Sequence, residues 1–379
     1  MTEEPAAGEA SFHYRFHARL LARPRPGDAR LNGIVVPAAR PARNLVPALR
    51  LGAALDVPVV VMCSRYTRPR DVTTVVADVP GARCTVVDLT RGSRGVRLPR
   101  FATSGFAAAF VGAHGDLSIK RNLGLLIGRA AGWRTLLFLD DDIHGLRPAS
   151  ARRAVGALQH FAAVGMPARR FPDNSVVCHA RRFLPGGRQG VFVSGSALAV
   201  RVDRADSFFP EIYNEDWLFL APHLDRRDVA ADGPVQQLPY APFEMPDRAT
   251  AEEFGDVLGE GLIGHLHHGS LSRPPSVRYW ADFLGQRARF IAEAAAGCAA
   301  QTAENAEARA ALRALGRAEN ARAKIRPEIL AEYVASWLHD LRRWRDFLTG
   351  VPRLGTLEAA IDWLDRSVVS PPTAVLEGE

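Results

Sequence analysis

Lysine is almost missing from this chain of 379 residues, in which lysine and arginine together number 48. Only Lys120 and Lys324 are lysines, so nearly every basic residue is an arginine. An excess of arginine and alanine at the expense of lysine is typical of a GC-rich genome, and the arginines form no run interleaved with aromatics. The formal net charge of +7 therefore does not predict a nucleic-acid partner. It suits an anionic small-molecule substrate better.

Paired cysteines and long apolar runs are missing as well. The four cysteines lie far apart and include no Cys-x-x-Cys pair, which argues against a zinc site or a disulfide framework and for a reducing compartment. No segment approaches the ~18 consecutive apolar residues that would span a bilayer. The N-terminal residues are acidic and small, unlike a signal peptide. We therefore expect a cytoplasmic protein without an integral membrane segment.

The order of the apolar patterns predicts an α/β fold followed by helices. After an arm at residues 1–30, strand and helix patterns alternate, which is typical of a parallel sheet built from βαβ units. Residues 31–275 therefore predict an α/β domain, with one half at 31–145 and a β-richer half at 146–275. Residues 276–379 predict a helical C-terminal domain, through which the chain could form a homo-oligomer.

Short apolar runs predict the individual strands. In the first half the predicted strands are 31–37, 57–63, 84–89 and Thr135–Leu139. In the second half they are 176–179, 191–193 and 197–202. The glycine-rich stretch 255–268 predicts turns and short elements rather than a long helix.

Three adjacent carboxylates follow the apolar strand Thr135–Leu139 directly. The carboxyl end of such a strand is where an open α/β sheet places its ligands. Asp140, Asp141 and Asp142 repel one another and need a cation or protons, and hard oxygen ligands suit Mg²⁺ or Mn²⁺ held against a phosphate. Asp140 and Asp142 point the same way on an extended chain, which makes them the working pair, and we expect Asp142 to be the direct ligand. The alternative is an acidic turn without a ligand.

Two further segments carry charged side chains in patterns that suit chemistry. Lys120, Arg121 and Asn122 are expected to open a helix, where they would add positive charge toward a diphosphate or form a solvated basic face. Glu215 and Asp216 follow an apolar stretch, which suits a buried general base with a raised pKa. The alternative for this pair is the first turn of an ordinary helix.

A histidine cluster comes next in the chain. His265, His267 and His268 fall within four positions after an apolar stretch, which is improbable for core packing. Imidazole is a common ligand for a transition metal such as Mn²⁺. His265 or His268 could therefore complete a metal site begun by Asp142, with the loop 269–275 closing over phosphates.

Taken in order, these segments resemble GT-A glycosyltransferases, particularly the large family 2 group and its relatives. Arg121-Asn122-x-Gly124, followed by the LFLDDD run, resembles the family's RN-x-G and DxD block. The strand ending at Pro37 and followed by Arg40 resembles the first strand of the family, whose end meets the nucleotide base.

The resemblance covers roughly residues 31–275 and extends to the acceptor side. Residues 194–200, followed by Glu215 and Asp216, resemble the acceptor-side strand and its ED motif. The resemblance implies a GT-A fold: a Rossmann-like α/β domain with a mostly parallel central sheet and a β-richer acceptor half. The helical C-terminal extension carries no resemblance.

The resemblance also implies a reaction. A sugar would move from a UDP- or GDP-sugar to a small-molecule hydroxyl acceptor, with Asp216 as the base in an inverting displacement and Glu215 beside it. A retaining transferase of the glucosyl-3-phosphoglycerate synthase type stays open. The metal ligands would be Asp140, Asp142, His265 and His268. The groups that bind the nucleotide sugar would be Pro37, Arg40, Lys120, Arg121, Asn122, Asp140 and Asp141, of which Asp141 has the least claim.

Three other interpretations remain. A phosphatase of the haloacid dehalogenase type would use Asp140 as nucleophile, but that fold begins with this strand and needs a downstream lysine, and only Lys324 is available. A sugar-phosphate nucleotidyltransferase would need a glycine-rich loop after the first strand, where this chain has no glycine. A non-catalytic nucleotide-binding scaffold is the alternative that is not an enzyme.

Overall fold

A seven-stranded sheet forms the centre of the protein. The computed structural model describes residues 16–90, 97–106, 116–168, 175–184, 193–239, 241–303 and 305–364. Within these residues the strand order of the sheet is β3-β2-β1-β4-β7-β6-β8, and β5 and β9 form a separate two-stranded ribbon. The strands are β1 (Gly33–Ala38), β2 (Val59–Cys63), β3 (Cys84–Asp88), β4 (Thr135–Leu139), β5 (Ile143–His144), β6 (Ala163–Gly165), β7 (Ala197–Arg201), β8 (Val229–Ala231) and β9 (Gln236–Gln237).

Helices cover the sheet and continue beyond it. In the described residues before the sheet is complete they are α1 (Phe16–Leu20), α2 (Val46–Leu55), α3 (Pro69–Ala77), α4 (Leu117–Ala130), α5 (Pro148–Gly156), α6 (Val176–Ala180) and α7 (Glu215–Asp225). The later helices are α8 (Pro246–Leu266), α9 (Val277–Ala299), α10 (Ala306–Arg322), α11 (Pro327–Thr349) and α12 (Leu357–Trp363). Short 3₁₀ turns lie at Ala42–Leu45, Ala157–Gln159 and Arg181–Phe183.

The direction of the strands changes in the middle of the sheet. Strands β1, β2, β3 and β4 are parallel, with Ile34 of β1 beside both Val59 and Leu137. Strand β7 is antiparallel to β4, and β6 is antiparallel to β7 but parallel to β8. The sheet is therefore mostly parallel, as expected, and its reversal falls next to β4. The order of the strands reverses between β1 and β4, whose carboxyl ends lie side by side.

Alternating side chains of the strands fill two apolar layers. Val35 points into the layer that contains α4 and α7, whereas Ile34 and Val36 point into the layer that contains α2 and α5. All five residues of β4 are buried, because helices cover both faces of the sheet. The interior strands were readable from sequence for this reason: the predicted strand at Thr135–Leu139 has the observed bounds.

The C-terminal helices share the core of the sheet. Trp280 of α9 and Trp337 and Trp344 of α11 are fully buried and belong to the same apolar cluster as Phe138 of β4. A smaller apolar cluster joins α6 to α9 and α10. Through these contacts the helices that follow residue 276 support one face of the sheet directly.

Two local predictions were wrong. Residues 176–179 form helix α6 instead of a strand, because Ser175 accepts a hydrogen bond from the Cys178 N–H and caps the turn. Residues 255–268 fall mostly within the continuous helix α8 instead of turns. The predicted strand at 191–193 begins outside the described residues.

The glycines of α8, which led the sequence pattern to predict turns, have a packing role. A Cβ at Gly255 would lie 2.3 Å from the backbone oxygen of Tyr213, and one at Gly261 would lie 2.2 Å from the ring of Trp280. Glycine lets the helix approach these neighbours closely at a cost in helix propensity. Within the described residues, no helix combines the length and the apolar character needed to cross a membrane.

Candidate functional site

The three acids occupy the turn between β4 and β5, at the carboxyl edge of the sheet. The N–H of Asp140 donates to the carbonyl of Ser196 at 2.8 Å, which continues the pairing of β4 with β7 by one residue. Ile143 pairs with Gln237 in the ribbon of β5 and β9. The turn is therefore held on both sides, and each carboxylate has a fixed direction.

Asp141 fastens the end of β1 to the acidic turn. One of its carboxylate oxygens accepts the N–H groups of Ala39 and Arg40, both at 2.7 Å, and the other accepts Nη1 of Arg40 at 2.6 Å. Both oxygens are thus occupied by protein donors, and the side chain is buried. These contacts give Asp141 a structural role, and its predicted contact with the nucleotide sugar stays a prediction.

Asp142 has one oxygen occupied and one left over. Its Oδ2 accepts Nη2 of Arg40 at 2.9 Å and Nε2 of Gln237 at 3.1 Å. Its Oδ1 is buried and has no hydrogen-bond partner among the described residues. Burial raises the pKa of Asp142, and Arg40 opposes that effect. An oxygen of this kind is costly to bury, so it marks a place for a donor or a cation.

Arg121 joins the acidic turn to the start of α7. Its Nη2 lies 3.1 Å from both oxygens of Asp140, and its Nη1 pairs with Oε1 of Glu215. Burial raises the pKa of Asp140 and of Glu215, while Arg121 counteracts the rise at both. One fully buried cation therefore stands between two carboxyls that burial pushes toward the protonated form.

A glycine makes room for that cation. A Cβ at Gly195 would lie 2.5 Å from Cζ and Nη1 of Arg121. The N–H of Gly195 donates to Oδ2 of Asp216 at 2.6 Å, and Oδ1 of Asp216 accepts its own helix's Trp217 N–H at 2.9 Å. Asp216 therefore fixes the chain that covers Arg121, and backbone donors occupy both of its oxygens.

The basic cluster at Lys120 faces the protein rather than the site. Lys120 is fully buried, and its Nζ lies 2.7 Å from the carbonyl of Ala38, 2.6 Å from Oγ of Ser64 and 3.1 Å from a carboxylate oxygen of Asp116. These three partners use the donors of the ammonium group. Lys120 ties α4 to the ends of β1 and β2, and its predicted contribution of charge toward a diphosphate stays a prediction.

Asn122 and Pro37 are also structural in this arrangement. The amide of Asn122 exchanges two hydrogen bonds of 2.8 Å with the backbone of Phe209, one to its carbonyl and one from its N–H. Pro37 lies inside β1, buried and paired in register with Met62 of β2. Of the residues predicted around the nucleotide, Arg40 has the most accessible side chain, at 46% exposure.

The histidines hold their own loop. Nε2 of His265 lies 2.9 Å from the carbonyl of Arg273 and 3.3 Å from that of Ser270, so the ring fastens the chain after α8. His268 is exposed. Nε2 of His265 is thus occupied by backbone carbonyls.

The four predicted metal ligands are not gathered into one group in the part of the chain that the structure describes. Ser270 donates to Asp225 at 3.0 Å, and Asp225 ends the eleven-residue helix that Glu215 begins. A helix of this length separates its two ends by about 15 Å. Among the described residues, no group of three or more His, Cys, Asp or Glu side chains is arranged to hold a metal ion. The roles of His265 and His268 as metal ligands therefore stay predictions.

The remaining acids still fit a hard divalent cation that is shared with a phosphate. Mg²⁺ is usually held by one or two carboxylates together with substrate phosphates and water, rather than by a cage of protein ligands. The unpartnered Oδ1 of Asp142 and the carboxylate of Asp140 supply oxygen ligands of that kind. The donor set suits a cation that binds together with an anionic ligand.

Two contacts of the site could not be read from sequence. Gln237, which positions Asp142, lies in a two-residue strand with no pattern of its own. Gly195 lies in a Ser-Gly-Ser segment, and this pattern does not distinguish a flexible turn from a segment that packs against Arg121. Both depend on chain pairing across long sequence separations, which local patterns do not encode.

Comparison with known proteins gives a structural likeness but none in sequence. No protein-family profile and no curated protein sequence matches the chain. Among solved structures, it resembles the mannosyltransferase PcManGT from Pyrobaculum calidifontis, in complex with GDP-Man and Mn²⁺. The two chains are 18% identical, with a TM-score of 0.43, over 86% of this chain and 92% of the other. Any function for this chain must therefore be argued from its own residues.

Proposed function

We propose that this protein is a metal-dependent glycosyltransferase that moves a sugar from a UDP- or GDP-sugar to a small-molecule hydroxyl acceptor. The observation that carries the proposal is the unpartnered, buried Oδ1 of Asp142 at the carboxyl edge of the sheet, beside Asp140 and the exposed Arg40. The edge where strand order reverses is where open α/β sheets bind ligands. A diphosphate bridged to carboxylates by a cation matches this mixture of charges.

Asp140 and Asp142 would hold Mn²⁺ or Mg²⁺ against the diphosphate of the donor. When bound, the cation would neutralise the negative charge that develops on the departing nucleoside diphosphate. Arg40 supports the same role because half of its side chain is exposed beside Asp142. Its guanidinium can leave one carboxylate partner and pair with a phosphate oxygen, for which its geometry is suited.

Glu215 is the better supported base for the acceptor hydroxyl. A general base needs a pKa close to the working pH, and burial raises the pKa of Glu215. Asp216, which the motif favours, has both oxygens occupied by the N–H groups of Gly195 and Trp217. We assign Asp216 to holding the covering chain and Glu215 to proton removal, in a single displacement that inverts the anomeric centre.

Two conservative substitutions separate these roles. Glu215→Gln keeps the shape of the side chain but cannot take a proton, so we expect transfer to be abolished while donor binding survives. Asp216→Asn keeps one oxygen for the Gly195 N–H, so we expect partial activity. The assay is product formation from UDP- and GDP-sugars over a panel of hydroxyl acceptors. Full activity of Glu215→Gln would remove it from the base role.

A phosphatase of the haloacid dehalogenase type is not favoured by this geometry. That reaction needs a lysine on the substrate phosphate, and Lys324 is exposed beyond the end of α10. A Lys324→Ala variant with unchanged activity would exclude the phosphatase mechanism.

A further inference from the structure

Asn214, directly before the acid pair, has an unusual backbone conformation. Its φ of 62° and ψ of 34° lie in the left-handed region, which non-glycine residues rarely adopt and asparagine tolerates best. Its carbonyl accepts the N–H groups of Trp217 at 3.1 Å and Leu218 at 3.4 Å, so it begins α7. The dihedral angles at Asn214 therefore set the direction in which Glu215 and Asp216 leave the chain.

The side chain of Asn214 is anchored outside its own helix. It makes no capping bond to α7 and instead donates from Nδ2 to Oδ1 of Asp256 at 2.9 Å. Asp256 lies on α8 and is almost fully buried. Its Oδ2 accepts the hydroxyl of Ser175 and, at 3.1 Å, Nη2 of Arg287. Asp256 thus has donors on both oxygens, one of which is the asparagine amide.

A buried cation fixes Asp256 in turn. Arg287 of α9 is fully buried and donates to Glu253 at 2.9 and 2.8 Å and to Glu260 at 2.9 Å, in addition to Asp256. These acids lie on α8, so the guanidinium holds one face of that helix. Buried charged networks with satisfied hydrogen bonds favour a single arrangement of the groups they connect.

Close packing reinforces the same contact. A Cβ at Gly255 would lie 2.3 Å from the backbone oxygen of Tyr213, and one at Gly259 would lie 3.3 Å from Cβ of Asn214. The backbone of α8 therefore presses against the residues that precede the acid pair. Neither glycine could be replaced without moving that segment.

We propose that Asp256 is a positioning residue for Glu215 and Asp216, and that it acts through Asn214. The inference rests on the glycosyltransferase function proposed above. Asp256 accepts a hydrogen bond from the amide of Asn214, and this bond stabilises the left-handed backbone of Asn214. That backbone conformation orients Glu215 toward Arg121. Loss of the anchor lets the turn relax toward an ordinary helical entry and moves the Glu215 carboxylate away from the acceptor. A displacement of about 1 Å at a reacting group can cost roughly a hundredfold in rate.

A double-mutant cycle tests this route. Asp256→Ala and Asn214→Gly each remove one side of the contact, and glycine accepts the left-handed backbone. We expect each single variant to lower kcat by roughly tenfold or more with little change in donor KM. The double variant should be no slower than the slower single variant. Multiplying losses in kcat, or a wild-type kcat for folded Asp256→Ala, would overturn the proposal.

Asp340→Ala is the matched control for lost stability. Asp340 is also fully buried and accepts the N–H of Ala102 at 2.9 Å and the N–H and hydroxyl of Thr103 at 2.8 and 2.9 Å. It does not contact Asn214. We expect Asp340→Ala to lower Tm as Asp256→Ala does but to leave kcat unchanged. Equal losses of kcat in both variants would reduce the role of Asp256 to stability alone.

A crystal structure of each single variant tests the positioning role without an activity assay. We expect Asn214 to leave the left-handed region in Asp256→Ala, with the Glu215 carboxylate displaced from Arg121. Unchanged positions of both residues would contradict the positioning role. If wild-type protein binds no nucleotide and transfers no sugar, the proposed function fails instead, and the crystal structures still decide the positioning. If Asp256→Ala does not fold, Asn214→Gly and Asn214→Ala decide through kcat and their own structures.

Discussion

Arg121 places one guanidinium nitrogen 3.1 Å from each oxygen of Asp140. The same guanidinium pairs with Glu215. Helix α4, which carries Arg121, therefore joins the first acid of the turn to the first acid of α7. Because the arginine is buried, it sets the separation of the two carboxyls as well as their charge. Arg121 thereby brings the acidic turn and the start of α7, which are distant in sequence, into contact with one side chain.

Removing the bridge should destabilise the protein strongly. Arg121→Ala leaves the buried carboxyls of Asp140 and Glu215 without their cation, and breaking a buried ion pair costs about 3–5 kcal/mol. Arg153→Ala is the control, because Arg153 pairs with Asp232 at 54% side-chain exposure and should change stability by less than about 1 kcal/mol. Urea unfolding measures both. Similar losses for the two variants would show that Arg121 does not bridge buried acids.

A methyl group at residue 195 should disturb the same arginine. In Gly195→Ala the new Cβ would lie 2.5 Å from the guanidinium of Arg121, which cannot yield without leaving its acids. We expect kcat to fall roughly tenfold or more. Gly316→Ala is the matched control: it lies in α10 with nothing within 4 Å, so alanine should raise stability by about 0.5–1 kcal/mol and leave kcat unchanged. Wild-type kinetics for Gly195→Ala would contradict the close contact.

Asp141 and Asp142 should respond differently to replacement by asparagine. Asp142→Asn removes the charge from the unpartnered oxygen, so we expect the metal dependence of nucleotide binding to disappear with little loss of stability. Asp141→Asn leaves one of three donors from Ala39 and Arg40 unsatisfied and should cost about 1–3 kcal/mol of stability. Its metal-dependent binding should persist in folded protein. Calorimetric titration and urea unfolding give the two readouts; a reversed pattern would exchange the assigned roles.

The pH dependence of stability should report the buried Glu215. Burial raises the pKa of this carboxyl, so the folded state binds its proton more tightly than the unfolded state does. The stabilisation of the folded state by this proton is therefore fully present below the ordinary glutamate pKa of about 4.3. It is lost as pH rises through the raised pKa of the folded state. Glu215→Gln carries no titrating group, so the free energy of unfolding of wild type should decline relative to the variant over that window. A difference independent of pH would show that the pKa of Glu215 is not raised.

Local patterns were enough to predict the strand Thr135–Leu139 with the acids at its end, and they offered the helix that starts at Glu215 as an alternative. Each of these depends on a short run with its own apolar spacing or terminal charge. The contacts of the histidines could not be read in this way. Three close histidines suggested a metal site, but which backbone carbonyl His265 reaches is decided by the path of the chain after α8. The roles of Lys120 and Asn122 were missed for the same reason, since their partners lie on other elements.

The most direct test is calorimetric titration of UDP and GDP into the wild-type protein with and without Mn²⁺, alongside Mn²⁺ alone. Because the described residues offer two carboxylates and no third protein ligand, the site fits a cation that is shared with a phosphate, and we expect weak binding of Mn²⁺ alone. One of the nucleotides should bind tightly only when Mn²⁺ is present. Equal affinity with and without Mn²⁺, or no binding of either nucleotide, would contradict the account of this site.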